Sequence, residues 1–171
     1  MTRSDVAAHQ LPLVLIGPMG SGKTRVGRRV AKALDVRFID TDKVIAAQHG
    51  SITDIFETHG EAHFRTLERQ AVADALREEA VVSLGGGAVL DPESQRVLAN
   101  HTVIELTVTA EAVLARMNTA KRPLLKDGPD AWQRIYDERR EIYSRLATVT
   151  FDTSHVAISR IADDIAAWAR T

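Results

Sequence analysis

The segment Gly17-Pro18-Met19-Gly20-Ser21-Gly22-Lys23-Thr24 follows the pattern Gly, four residues, Gly, Lys, Ser or Thr. Each residue type has a task in holding a polyphosphate. Gly20 and Gly22 can take positive φ, which lets successive backbone N–H groups, that of Ser21 among them, converge on phosphate oxygens. A helix beginning at Lys23 adds its positive dipole end. Lys23 supplies a mobile cation for the β- and γ-phosphates, and the Thr24 hydroxyl can ligate Mg²⁺. The pattern also occurs by chance, as a tight turn with an exposed lysine. Here it lies between an apolar run, Leu13 to Ile16, and an amphipathic segment with Val26, Val30, Ala33 and Leu34 at helical spacing, which is the context a phosphate loop requires.

A second constellation follows at Asp40-Thr41-Asp42, closing an apolar run from Val36 to Ile39. Alternation along an extended chain would set both carboxylates on one side, at the carboxyl end of a strand, where open parallel sheets keep their ligand crevice. One acid would then hold Mg²⁺ through water while the other meets a hydroxyl to be phosphorylated. The competing reading makes Asp42 a helix cap, and for an isolated Asp-x-Asp it would be preferred. A neighbouring phosphate loop reverses the choice. Arg65, Arg116, Arg122 and Arg139 fall where binding surface is expected, and a guanidinium grips carboxylate or phosphate in bidentate fashion. Taken singly, each would be a solvated arginine or a weak surface ion pair contributing about 0–1 kcal/mol.

The elements that must position these residues alternate. Strands are expected at 13–16, 36–39, 81–84, 102–106 and 148–151. Helices are expected from Lys23 to near Asp35, then over 42–48, from about Ser51, and over 61–79, 92–100, 109–117, 131–146 and 158–168. The stretch 118–130 reads as a loop. This alternation predicts an α/β protein with a parallel sheet covered on both faces, a three-layer α/β/α sandwich. With 171 residues and no linker or repeat, one domain is expected over 11–171, after a loose tail at 1–10.

Composition narrows the function further. Lys and Arg total 22 against 23 Asp and Glu, so the net charge of −1 argues against general nucleic-acid binding. The absence of cysteine excludes disulfides, thiolate metal sites and cysteine catalysis. No run approaches the roughly 20 apolar residues of a membrane helix, so a soluble cytoplasmic protein is expected. A GTP-dependent switch would carry Asp-x-x-Gly, and no aspartate here is followed three residues later by glycine. Asn118-Thr119-Ala120-Lys121 has the wrong order for a guanine site. His59 and His63, four apart, lack an evident third ligand and read as surface residues rather than a metal site. Trp132 and Trp168 read as packing residues.

With GPMGSGKT, FIDTD, SITDIF (51–56), GEAHFRTLE, SLGGGAV, KRPLL and ERREIYSRLA in this order, the chain resembles the shikimate kinase family from Leu13 to its C-terminus. The resemblance implies a P-loop, nucleoside-monophosphate-kinase-like fold with five parallel strands in the order 2-3-1-4-5. It implies ATP and shikimate as substrates, Mg²⁺ as cofactor and a monomer, with neither nucleic acid nor membrane as partner. Asp42, Arg65, Gly86 and Arg139 would bind shikimate, within a substrate region of about 42–70, with the two arginines on its carboxylate and Asp42 on its hydroxyls. Gly20, Ser21, Gly22, Lys23, Thr24, Arg25, Arg116 and Arg122 would bind ATP, with Arg116 against the adenine. Arg25 stands where the family often has a second hydroxyl. Arg122 would reach the transferred phosphoryl from a mobile lid at about 117–130, and Thr24 and Asp40 would hold the Mg²⁺ shell. Lys23, Asp42 and Arg122 would form the catalytic set. Arg139 is chosen over Arg140 because it stands four residues before Tyr143. A kinase for another small acid such as gluconate should alter the acceptor arginines, and a non-catalytic nucleotide-binding module should lose Lys23, Asp42 or Arg122.

Overall fold

The computed structural model describes residues 9–116 and 128–171. Five parallel strands form one sheet: β1 (Leu13–Ile16), β2 (Arg37–Asp40), β3 (Ala80–Ser83), β4 (Thr102–Thr107) and β5 (Val149–Asp152). Their order is β2-β3-β1-β4-β5, as expected, with Leu15 level with Ser83 on one side and Ile104 on the other. Eight α-helices are described: α1 (Lys23–Leu34), α2 (Thr41–His49), α3 (Ile52–His59), α4 (Glu61–Ala75), α5 (Pro92–Leu98), α6 (Ala110–Arg116), α7 (Pro129–Leu146) and α8 (Ile158–Ala169).

The all-apolar sequence of β1 follows from its central place, since both of its faces are covered. Leu13 and Leu15 pack with Val26 and Leu34 of α1 and Ile161 and Ile165 of α8. Val14 and Ile16 point the other way, onto Val72 of α4, Leu98 of α5 and Tyr143 of α7. Each fully buried Leu or Ile here contributes about 1.5–3 kcal/mol. Both layers therefore grip the strand whose carboxyl end carries the phosphate loop. None of the described helices is long and apolar enough to cross a membrane.

Helices α4 and α7 each depart from expectation at one end, for physical reasons. Helix α4 stops at Ala75, not at residue 79: the chain turns through Arg77 N–H to Asp74 C=O and Glu78 N–H to Ala75 C=O. The buried strand β3 begins at Ala80, and its pairing overrides the helix propensity of Arg-Glu-Glu-Ala. Helix α7 begins at Pro129, not Ala131, because a proline at the first helical position gives up no hydrogen bond. Pro129 and Asp130 thus belong to a helix rather than a loop. A 3-10 turn at Ala88–Leu90, which periodicity did not signal, follows the triple glycine. Of the tail expected at 1–10, residues 1–8 lie outside the described residues. His9 donates its N–H to Ala169 C=O at 3.1 Å and stacks on Trp168 at 4.0 Å.

Candidate active site

The loop after β1 bends where the glycines permit it. Gly20 (φ 82) and Gly22 (φ 97) take the left-handed conformations expected of them, and Gly17 (φ 147) joins them. A Cβ at Gly17 would stand 2.4 Å from Leu106 C=O, so the loop lies directly on β4. Lys23 Nζ reaches back over the loop, donating to Gly17 C=O at 2.7 Å and Pro18 C=O at 3.0 Å. Thr153, after β5, supports the loop from below by donating to Ser21 C=O at 2.8 Å.

Asp40 and Asp42 meet in one crevice, but not by strand alternation. Strand β2 ends at Asp40, which is the cap of α2: its Oδ1 accepts from the N–H groups of Asp42 (3.0 Å) and Lys43 (3.3 Å). Such a cap stabilises the helix by about 0.5–2 kcal/mol. Oδ2 accepts from the Thr24 hydroxyl at 3.0 Å, tying α2 to the phosphate loop. The capping role weighed for Asp42 thus falls to Asp40. Asp42 enters the crevice from the first turn of α2, and its Oδ1 is buried with no hydrogen-bond partner among the described residues. Burial first, and then the Asp40 charge, raise its pKa above the ordinary aspartate value, against the opposing pull of Lys23 and Arg65.

A further wall of the crevice is built on α4, α7 and the triple glycine. Arg65 Nη1 donates to Glu68 at 2.7 Å and Nη2 to Glu61 at 3.3 Å. Glu68 is only 3% exposed, and burial pushes its carboxyl pKa up despite the pairing. Gly85 lies against Asp42 and Gly87 against the Arg65 guanidinium: a Cβ would stand 2.7 Å from Asp42 Oδ1 at the first and 2.6 Å from both Nη atoms at the second. Gly86 has more room, with Arg139 Nη1 nearest at 3.4 Å. Arg139 faces the crevice while Arg140 is exposed and pairs with Asp137 at 3.5 Å. Tyr143, fully buried, donates its hydroxyl to Gly86 C=O at 2.6 Å, and burial pushes its pKa up to about 12.

These groups share a crevice of about 540 Å³. Lys23, Thr24, Asp40, Asp42, Arg65 and Arg139 all border it, as do Gly20, Gly22 and Gly86. Ser21 lies just beneath, buried, with its hydroxyl unpartnered among the described residues. Arg25 and Arg116 stand at the rim, where Arg116 Nη1 donates to Thr153 at 3.2 Å. Arg122, and residues 117–127 of the lid expected at about 117–130, lie outside the described residues. Phe56 and Phe64, with rings 4.9 Å apart, close the wall between α3 and α4.

Sequence reasoning passed over several residues of this site. Glu68 stands in the motif GEAHFRTLE with no role of its own. Only the packing of α4 buries it. Gly85 and Gly87 were noted without their steric tasks. His59 and His63 do meet, at 4.8 Å, across the break at Gly60, yet no cluster of three metal-ligating side chains occurs among the described residues.

A parallel sheet in this order, with a phosphate loop leaving its central strand and an acid and two arginines across the crevice, defines a P-loop kinase of the nucleoside-monophosphate-kinase-like fold. The family model for shikimate kinase matches residues 19–170. The shikimate kinase of Salinispora tropica is 46% identical over 158 residues, covering 90% of this chain and 95% of the relative. That of Mycobacterium avium is 46% identical over 147 residues, covering 82% and 83%. Among solved structures, the shikimate kinase from Acinetobacter baumannii in complex with shikimate superposes with a TM-score of 0.87 at 31% identity, covering 96% of this chain and 94% of that one. The chain belongs to the shikimate kinase family.

Proposed function

We propose that the protein transfers the γ-phosphoryl group of ATP to the 3-hydroxyl of shikimate, giving shikimate 3-phosphate and ADP, in the biosynthesis of aromatic amino acids. The observation that carries this reading is that the phosphate loop, Asp42, Arg65 and Arg139 border a single crevice. Family membership and the likeness to a shikimate-bound enzyme agree with it.

Phosphoryl transfer passes through a loose transition state, so positioning and charge neutralisation matter more than a strong base. In this reading the glycine loop and α1 hold the phosphates, and Lys23 moves from the carbonyls of Gly17 and Pro18 to the β- and γ-oxygens. Arg65 and Arg139 grip the shikimate carboxylate, and Gly86 lets the backbone approach the ring. Asp42 orients the acceptor hydroxyl and takes its proton late. Its buried, unpartnered Oδ1 supplies a waiting acceptor. Arg116 lies against the adenine and Arg122 meets the transferred phosphoryl, completing the catalytic set with Lys23 and Asp42. Thr24 and Asp40, a hydroxyl and a carboxylate 3.0 Å apart at the crevice wall, fit the oxygen preference of Mg²⁺ and would hold its shell. When bound, Mg²⁺ offsets charge on the phosphate oxygens. This reading takes the enzyme as a monomer that works in the ATP-supplied cytoplasm.

A coupled ADP-release assay comparing shikimate, gluconate and nucleoside monophosphates tests the proposal. Turnover with shikimate alone is expected. Turnover with gluconate and none with shikimate would overturn it.

A further inference from the structure

Helix α7 reaches both loops of the crevice through two different side chains. Near its start, Trp132 is 3% exposed and packs among Val108, Val113 and Met19. Its indole Nε1–H donates to Met19 C=O, inside the phosphate loop, at 2.8 Å. Tyr143 stands eleven positions on (143 − 132), about three turns of helix and therefore on the same face. Its hydroxyl donates to Gly86 C=O at 2.6 Å, inside the triple glycine. Tyr136 lies between them, its ring 5.2 Å from that of Trp132 and 6.4 Å from that of Tyr143.

A peptide unit is planar and trans, so its C=O and N–H point in opposite directions. Tying Met19 C=O to α7 turns the Gly20 N–H away from α7, and Gly20 borders the crevice. Tying Gly86 C=O to Tyr143 fixes the Gly86–Gly87 peptide in the same way, and with it Gly87, against which the Arg65 guanidinium rests. We propose that Trp132 and Tyr143 are positioning residues with separate charges: Trp132 aligns the nucleotide loop, and Tyr143 aligns the acceptor loop. A single rigid helix thereby sets the spacing of donor and acceptor, on which in-line transfer depends. Which ligand each loop holds rests on the reading under Proposed function.

In the whole chain, Tyr143→Phe keeps the ring and removes one donor, while Trp132→Phe removes the donor together with the pyrrole half of a buried indole, so the split between the two substrates' constants, not stability, is the readout. Loss of one such hydrogen bond corresponds to about a three- to tenfold weakening. Trp132→Phe is expected to raise the KM for ATP and the Kd for Mg²⁺-ADP by that factor, with the KM for shikimate unchanged. Tyr143→Phe is expected to do the reverse. A merely structural role would move both constants together. Proportional shifts of both constants in either variant, or no shift in either, would overturn the inference. Should the wild type fail to turn over shikimate, the proposed function falls, while ADP binding by Trp132→Phe still decides its half: a raised Kd supports it and an unchanged Kd overturns it.

Discussion

Replacing Gly87 by alanine adds one methyl group, and the structure specifies what that methyl meets. It would lie 2.6 Å from both Nη1 and Nη2 of Arg65 and 2.9 Å from its Cζ, whereas ordinary contact starts near 3.4 Å. The guanidinium must therefore retreat by 0.8 Å (3.4 − 2.6). Retreat is resisted, because Nη1 is bonded at 2.7 Å to the buried Glu68. The backbone is not at fault: Gly87 has φ −92 and ψ −2, values open to alanine. If Arg65 grips the shikimate carboxylate, misplacing it forfeits a charge-assisted hydrogen bond of about 1.5–3 kcal/mol. The KM for shikimate should then rise about ten- to a hundredfold, with the KM for ATP nearly unchanged and the melting temperature lowered by the strain on the buried Arg65–Glu68 pair. Steady-state kinetics with each substrate varied in turn, together with a thermal melt, read this directly. An unaltered shikimate KM in a normally folded variant would refute the role of Arg65. An equal rise in both KM values would mean that the loop as a whole had moved.

The neighbouring glycine should behave differently. Gly85→Ala presses its methyl on the Asp42 carboxylate at 2.7 Å, so kcat should fall about a hundredfold for an ångström-scale misplacement, measured at saturating shikimate. Lys23→Met should abolish detectable turnover while circular dichroism shows the fold intact; an active variant would remove Lys23 from the mechanism. Asp42→Asn should lose activity and gain stability. The folded-state pKa of Asp42 lies above its unfolded value, so the folded chain binds more protons in that interval, and the carboxyl costs stability once the pH exceeds it. Removing the desolvation cost of a buried negative charge, about 1 kcal/mol, should raise the melting temperature by about 2–4 °C at neutral pH. That gain should vanish under acid, where wild-type Asp42 is protonated. The acid limb of wild-type kcat should lie at higher pH than an exposed aspartate would give.

Much of the fold was legible because its signals are local. The apolar run Leu13–Ile16, the glycines after it and the helical spacing of Val26, Val30 and Leu34 lie within a few turns of one another, and each has one reasonable meaning. The strand order came from resemblance, since periodicity does not say which strand lies beside which. The site was legible in residue types but less so in causes. Asp40 and Asp42 were expected together as alternating strand residues, yet a strand that stops at Asp40 and a carboxylate that caps α2 bring them together instead. What stayed hidden depends on elements distant in sequence. Glu68 is buried by the packing of α4 against α2, α3, α5 and the 3-10 turn at Ala88–Leu90. Within the triple glycine, Gly85 and Gly87 are cramped, pressed by side chains from α2 and α4. The hydrogen bond from Trp132 to Met19 spans 113 positions of chain, and no local pattern announces it.

A crystal structure of the protein with Mg²⁺-ADP and shikimate tests the central claim most directly. The expected result has the ADP phosphates inside the Gly17–Thr24 loop, the shikimate carboxylate between Arg65 and Arg139, and its 3-hydroxyl against Asp42. Shikimate seated elsewhere, or a carboxylate turned away from both guanidinium groups, would contradict the account.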